Sequence, residues 1–267
     1  MSVRNTIRAA PTLFRIGFSE AIAYRAELLV WVLSTTMPLI MLALWSAVAQ
    51  DGPVGRFGQP QFVAYFLATF VVRQLTGAWV SWEMNFEVRQ GTLAMRLLRP
   101  IHPLWSYAVE NLAALPMRLL VAGPVAVIAL FIVGRSQLAK DPVIWLIWCV
   151  AMLGAWLVTF LANLIVGCLA LYMESSLKLM DLWLALFFVF SGYLVPVELF
   201  PPWLRTIAQW MPFRYQIGFP VELIIGSLDR LAALALLARQ WGFVVLLLGA
   251  TTLIWRGGLK RFQAYGG

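Results

Sequence analysis

The chain has 267 residues, of which 62% are hydrophobic and only 12% charged, and its formal net charge is +8. Soluble domains carry about 25% charged residues, so this composition excludes a soluble globular domain and points to a polytopic membrane protein. The positive balance is not a nucleic-acid signature: the basic residues stand at the ends of apolar runs, where they meet anionic headgroups and set orientation.

Residues 1–25 carry Arg4, Arg8, Arg15 and Arg25, the first three on one helical face. Phe14, Phe18 and Ile22 mark an apolar face, so an amphipathic helix lying in the interface is expected, with a restart at Pro11; the other reading is a frayed basic tail. No small-residue cleavage pattern follows the first apolar run, which is expected to stay as an anchor.

Six membrane segments are predicted, at about residues 26–48, 62–82, 104–133, 142–172, 179–195 and 231–255. A span needs about 20 residues, which leaves the fifth marginal. With the N-terminus cytosolic, the inside set is Arg4, Arg8, Arg15, Arg25, Arg89, Arg96, Arg99, Lys178, Arg256, Lys260 and Arg261. The outside set is Arg56, Arg135, Lys140, Arg205, Arg214 and Arg230. That bias places both termini, and residues 83–103, on the cytosolic side. Arg73, Arg118 and Arg239 fall within spans. Arg73 reads either as part of a transport path or as one half of a structural pair with Glu110, and Arg239 as a snorkelling residue. Cys149 and Cys168 lie in apolar runs and read as small buried hydrophobes.

Between the second and third segments runs EMNFEVRQGTLAMRLLRPIHP, residues 83–103. Gly91-Thr92 predicts a helix start, and Leu93, Met95, Leu97 and Leu98 follow near helical spacing with Arg96 and Arg99 interleaved. Pro100 ends that helix by biasing Arg99 out of the α region. The stretch reads either as a docking element or as an ordinary interfacial loop. After the fifth segment comes SGYLVPVELFPPWLRTIAQWMPFRY, residues 191–215, too apolar for a solvated loop. Pro202 suits a first turn, Trp203, Ile207 and Trp210 share a face, and a second apolar piece covers residues 220–225. This outer region is expected to dip into the outer leaflet under protein cover. No GxxxxGK[ST] phosphate loop and no HExxH are present, and the single histidine, His102, lies between two prolines.

Two stretches resemble type-2 (ABC-2-type) ABC exporter permeases. RQGTLAMRLLRPIHPLWSY resembles the "GT-L-x-x-x-L-L-R-P" segment between the second and third spans of that family, and residues 191–215 resemble its segment after the fifth span. With the basic N-terminal helix and six spans, the resemblance covers nearly the whole chain. It implies an all-α polytopic membrane protein with two regions. Residues 1–25 would be an interfacial amphipathic helix. Residues 26–267 would be a six-helix permease domain with a cytosolic coupling helix at about 87–98 and an outer re-entrant hairpin at about 196–225.

The resemblance also implies an ATP-driven exporter of an amphiphile (a lipid, glycolipid or hydrophobic drug) in the bacterial inner membrane, with both termini cytosolic. Its partners would be two ATP-binding cassette subunits, a second permease copy or a paralogue, and membrane lipids, with no nucleic acid. This chain would hold no cofactor and no catalytic or metal residue, ATP and Mg being bound by the partner ATPases. Carried over residue by residue, Glu87, Arg89, Gly91, Thr92, Leu93, Arg96 and Arg99 would serve ATPase coupling. Arg73, Gln74, Thr76, Phe187, Phe190 and Ser191 would line the pathway, and Pro196, Phe200, Pro201 and Trp203 the outer gate. Intramembrane Arg73 departs from the family pattern and suggests an anionic cargo. The rival readings are a stand-alone lipid-handling membrane enzyme and a structural subunit of a membrane complex.

Overall fold

The computed structural model describes residues 3–23, 30, 35–133 and 137–262. The described residues are helical and include no β-strand. In chain order the helices are α1 (Val3–Ala23), α2 (Met37–Val48), α3 (Gln59–Thr76), α4 (Val80–Arg89), α5 (Leu93–Leu97) and α6 (Pro103–Ala113). Then follow α7 (Leu115–Val133), α8 (Pro142–Leu169), α9 (Leu177–Phe190), α10 (Pro202–Gln209), α11 (Gly218–Ile224) and α12 (Arg230–Leu259). Their starts are written in local chemistry. Proline occupies the first turn of α3, α6, α8 and α10, where its missing N–H costs nothing. Asp141 and Asp229 cap α8 and α12 by accepting from the amides of Val143 and Ala232, each at 3.0 Å.

Among the described residues, four helical stretches are long and apolar enough to cross a membrane: Gln59–Arg89, Pro103–Ile128, Pro142–Leu169 and Arg230–Leu259. The expected fifth span is corrected to α9, whose 14 residues stop at Phe190. At 1.5 Å per residue that is about 21 Å, short of a hydrocarbon core of about 30 Å. Of the expected first span, only residue 30 and residues 35–48 are described, and α2 supplies 12 helical residues. The rest lies outside the described residues.

The second and third spans are each broken once. α3 gives way to α4 across residues 77–79, and α6 to α7 at Ala114. The region after α9 forms two short helices: α10, which starts at Pro202 as expected, and α11, which covers most of the second apolar piece. α11 packs on α8 and α3 with Val221 and Leu223 fully buried.

The bundle centres on α8, which packs along α12 on one side and meets α4 and α11 on others. Gln240 of α12 donates to the carbonyls of Ala151 and Tyr215, both at 2.9 Å, and ties that pair to the outer region. α1 runs unbroken through Pro11 and packs on α6. The face it buries carries Leu13 and Gly17, where an added Cβ would come within 2.9 Å of the Ala113 Cβ. Phe14 and Ile22, expected on the apolar face, stay exposed. The helix approaches α6 closely at Gly17, while Phe14, Ile16 and Ile22 are left outward.

Candidate functional site

α4 ends at Arg89, and Gly91, at φ +73°, turns the chain so that α5 folds back beneath it. A left-handed residue after a helix end is a glycine position. The expected docking helix at residues 87–98 is therefore two pieces: the last turn of α4, then a five-residue helix. Thr92 stands at the start of α5 but makes no side-chain cap; its hydroxyl points back to the Glu87 carbonyl at 3.4 Å. Pro103 opens α6 and returns the chain to the bundle.

This fold-back places one guanidinium among three carboxylates. Arg96 donates to Glu87 at 2.6 Å, to Glu83 at 3.1 Å and to Glu110 at 2.8 Å. It also donates to the Ser106 hydroxyl at 3.0 Å, and its guanidinium lies 4.0 Å from the centre of the Tyr107 ring. Tyr107 in turn donates to Glu87. One side chain thus fastens α5 to α4 and α6. Only 10% of the Arg96 side chain is exposed. Burial opposes its charge, yet the hydrogen bonds it donates to Glu87 and the field of Glu110 outweigh that, and its pKa lies above the ordinary arginine value.

Further bonds anchor α4 to the rest of the bundle. Ser81 donates to Asn163 at 2.9 Å, Asn85 to Ser176 at 2.8 Å, and Arg89 to the Glu174 carbonyl. Leu93, 0% exposed, plugs the same joint beside Met84, Tyr107 and Trp156. On the opposite side of the fold-back, Met95 is 67% and Leu98 80% exposed, with Phe86, Arg89 and Arg99 also outward.

The predicted contact set is therefore divided. Arg89, Thr92 and Arg99 face outward, whereas Glu87, Leu93 and Arg96 turn inward, because three carboxylates and the apolar joint hold them there. Sequence reasoning missed Glu83, Ser106, Tyr107 and Glu110 as partners of Arg96, and Met95 and Leu98 as the exposed tip. Glu83 and Glu87 did carry a signal. Like charges four apart on a helix repel unless a cation sits between them.

The predicted pathway residues are partly gathered. The Arg73 guanidinium lies 5.1 Å from the centre of the Phe187 ring, which brings α3 and α9 together within one chain. Gln74 donates to the Thr35 hydroxyl at 2.8 Å, and Thr76 bonds its own helix at the Val72 carbonyl. Phe190 stacks near Phe213, and the Ser191 hydroxyl accepts from the Tyr193 amide at 3.2 Å. The expected Arg73–Glu110 pair does not form: Glu110 is held by Arg96 at 2.8 Å. Arg118 caps the broken end of α3 instead, donating to the Gly77 carbonyl at 2.7 Å. Arg239 stacks 5.0 Å over Trp210.

In the stretch after α9, Pro196 and Phe200 are buried, Phe200 beside Val197 and Ala208, while Pro201 and Trp203 are exposed. Arg214 and Glu222 form a buried ion pair at 2.6 Å. Burial pushes the Glu222 carboxyl up against the pull of Arg214. Arg56 joins Glu198 and Ser227 at the rim.

With four membrane-length apolar helices and no β-strand among its described residues, the chain is a multi-pass membrane protein. It belongs to the ABC-2 family transporters: the family described as "ABC-2 family transporter protein" matches residues 28–266, nearly the full length. Among curated proteins none matches the chain. The chain is accordingly a transport permease, and its family works with ATP-binding cassette subunits.

Proposed function

We propose that the chain is the membrane half of an ATP-driven exporter and that the fold-back α4–α5 is its coupling element. The observation that carries this reading is the Arg96 knot beneath an exposed apolar tip. Met95 and Leu98, with Arg89 and Arg99 beside them, offer a surface of two long apolar side chains ringed by cations. Such a surface suits an acidic-rimmed apolar groove on an ATP-binding subunit. Leu93 and Arg96 behind it are joined to α4 and α6, the cytosolic ends of two spans. A displacement of the tip is transmitted to both, because the knot cannot yield without separating charges.

Two ATP-binding subunits would bind ATP and Mg, and a second permease copy or a paralogue would complete the path. The cargo would be an amphiphile passing near Arg73 and Phe187, with the outer hairpin around Pro196, Phe200, Pro201 and Trp203 as exit gate. Both termini would be cytosolic in a bacterial inner membrane, following the Lys and Arg bias. ATP state must bias two packings of the bundle differently, and this tip is where it can act.

The test is co-purification with the ATP-binding subunit from the same membranes, followed by ATP-dependent transport in vesicles. Leu98→Asp is expected to abolish both association and transport while the chain stays folded. Full transport by Leu98→Asp, or by the chain without any ATPase, would end this reading.

A further inference from the structure

Two buried arginines of this chain hold their own carboxylates: Arg96 has three, and Arg214 has Glu222 at 2.6 Å. Arg73 and Arg118, both within spans, have none among the described residues. An intramembrane charge without a counter-charge is costly and rarely kept without a task.

The neighbours of this pair are neutral. The Arg118 Nη1 donates to the Gly77 carbonyl at 2.7 Å and the Gln74 carbonyl at 3.3 Å, and its guanidinium lies 4.6 Å from the centre of the Trp79 ring. Arg73 stands over Phe187, whose ring centre lies 5.5 Å from that of Tyr193. Gln74, whose carbonyl takes one of the Arg118 hydrogen bonds, is the residue next to Arg73 near the end of α3.

Capping the broken end of α3 gives Arg118 a structural role, but the charges do not balance. A helix C-terminus offers about half a negative charge, against two full positive ones. The seat is also prepared. At Gly77 an added Cβ would come within 2.6 Å of the Arg118 Nη1, so a larger residue there would displace the guanidinium from its place on the backbone. Arg73, Gly77, Trp79 and Arg118 are all half-buried rather than sealed. Two guanidinium forks match an oxyanion, and Trp79, Phe187 and Tyr193 supply apolar walls around it.

We propose that Arg73 and Arg118 form an intramembrane anion seat that takes the phosphate or carboxylate head of an amphiphilic cargo. The proposal rests on the reading of the chain as a permease and names the class of its cargo.

The test uses the purified full chain in detergent, without nucleotide or ATP-binding subunit. Binding of a fluorescent phosphatidic acid is compared with that of the matching phosphatidylcholine. The wild type is expected to prefer phosphatidic acid by about tenfold or more, as hydrogen bonds to a charged group imply. Arg73→Gln is expected to erase the preference, Arg73→Lys to keep part of it, and Arg205→Gln, on the outer surface, to leave it unchanged.

Arg118→Gln should behave like Arg73→Gln. Because it also removes the cap, Arg73→Gln, checked for an unchanged melting temperature, is decisive. Displacement by millimolar inorganic phosphate would support the seat and assign it to small anions; failure to displace would support it and assign the lipid head. No preference in the wild type, or a preference that survives Arg73→Gln, would overturn the proposal. So would loss of self-association in Arg73→Gln with the lipid preference intact, which would give the charge to a contact between copies. Since no ATPase is present, this result and the Leu98→Asp result can fail independently.

Discussion

Replacing Arg96 by methionine keeps an unbranched apolar stem and removes the guanidinium with its charge. Glu83, Glu87 and Glu110 are then left facing one another with no cation between them. Removing one partner of a fully buried ion pair costs about 3–5 kcal/mol. The three carboxylates keep between 16% and 31% of their side-chain exposure, so water takes up part of the loss. A net cost of about 2–3 kcal/mol is expected. For a chain of this size that corresponds to a fall of about 5–10 °C in melting temperature.

Thermal unfolding of the detergent-purified protein, followed by size-exclusion fluorescence, measures it. The diagnostic comparison is the double variant. Adding Glu110→Gln to Arg96→Met removes one of the repelling carboxylates, so it is expected to restore about 1 kcal/mol rather than add to the damage. Arg96→Lys should fall between, holding the charge without the fork. If Arg96→Met melts with the wild type, or if the double variant melts below it, the knot is not held together by these charges.

Other substitutions separate surface from joint. Leu98→Asp and Met95→Asp, on exposed positions, should change stability by no more than about 0.5 kcal/mol yet abolish capture of the ATP-binding subunit in a pull-down. Leu93→Asp, buried in the joint, should instead yield no folded protein on size exclusion. In the outer region, Glu222→Gln leaves Arg214 as a buried, unpaired charge and should cost about 3–5 kcal/mol by melting, most of it recovered in Arg214→Met with Glu222→Leu. Gly77→Ala should lower the melting temperature more than Gly123→Ala, since an added Cβ meets Arg118 at the first site and nothing within 4 Å at the second.

Much of the helical layout was legible because hydropathy, prolines and caps are local signals. The starts of α8 and α12, set by Asp141-Pro142 and Asp229, follow directly from residue chemistry. The length of α9 was not legible: apolar residues continue past Phe190 through Tyr193, Leu194 and Val195, but there the chain leaves the helix, with Gly192 at φ +83° and the Tyr65 hydroxyl donating to its carbonyl at 2.7 Å. The stretch at residues 83–103 stood out by its pattern, whereas its inside and outside were confused. Five helical residues carry too little periodicity to tell Leu93 from Met95. What sets the register is Glu110, fourteen positions beyond Arg96 and beyond any helical repeat. The break at residues 77–79 hides for the same reason, because Arg118, which satisfies its carbonyls, lies on another helix.

Force transfer through the α4–α5 tip is tested most directly by photo-crosslinking at Leu98. A benzophenone amino acid placed there, in intact membranes containing the assembled transporter, is expected to give an adduct with the ATP-binding subunit whose yield changes between ATP-trapped and nucleotide-free states. No adduct from Leu98, with labelling of a Leu98→Cys variant by an impermeant reagent from outside the cell, would contradict it.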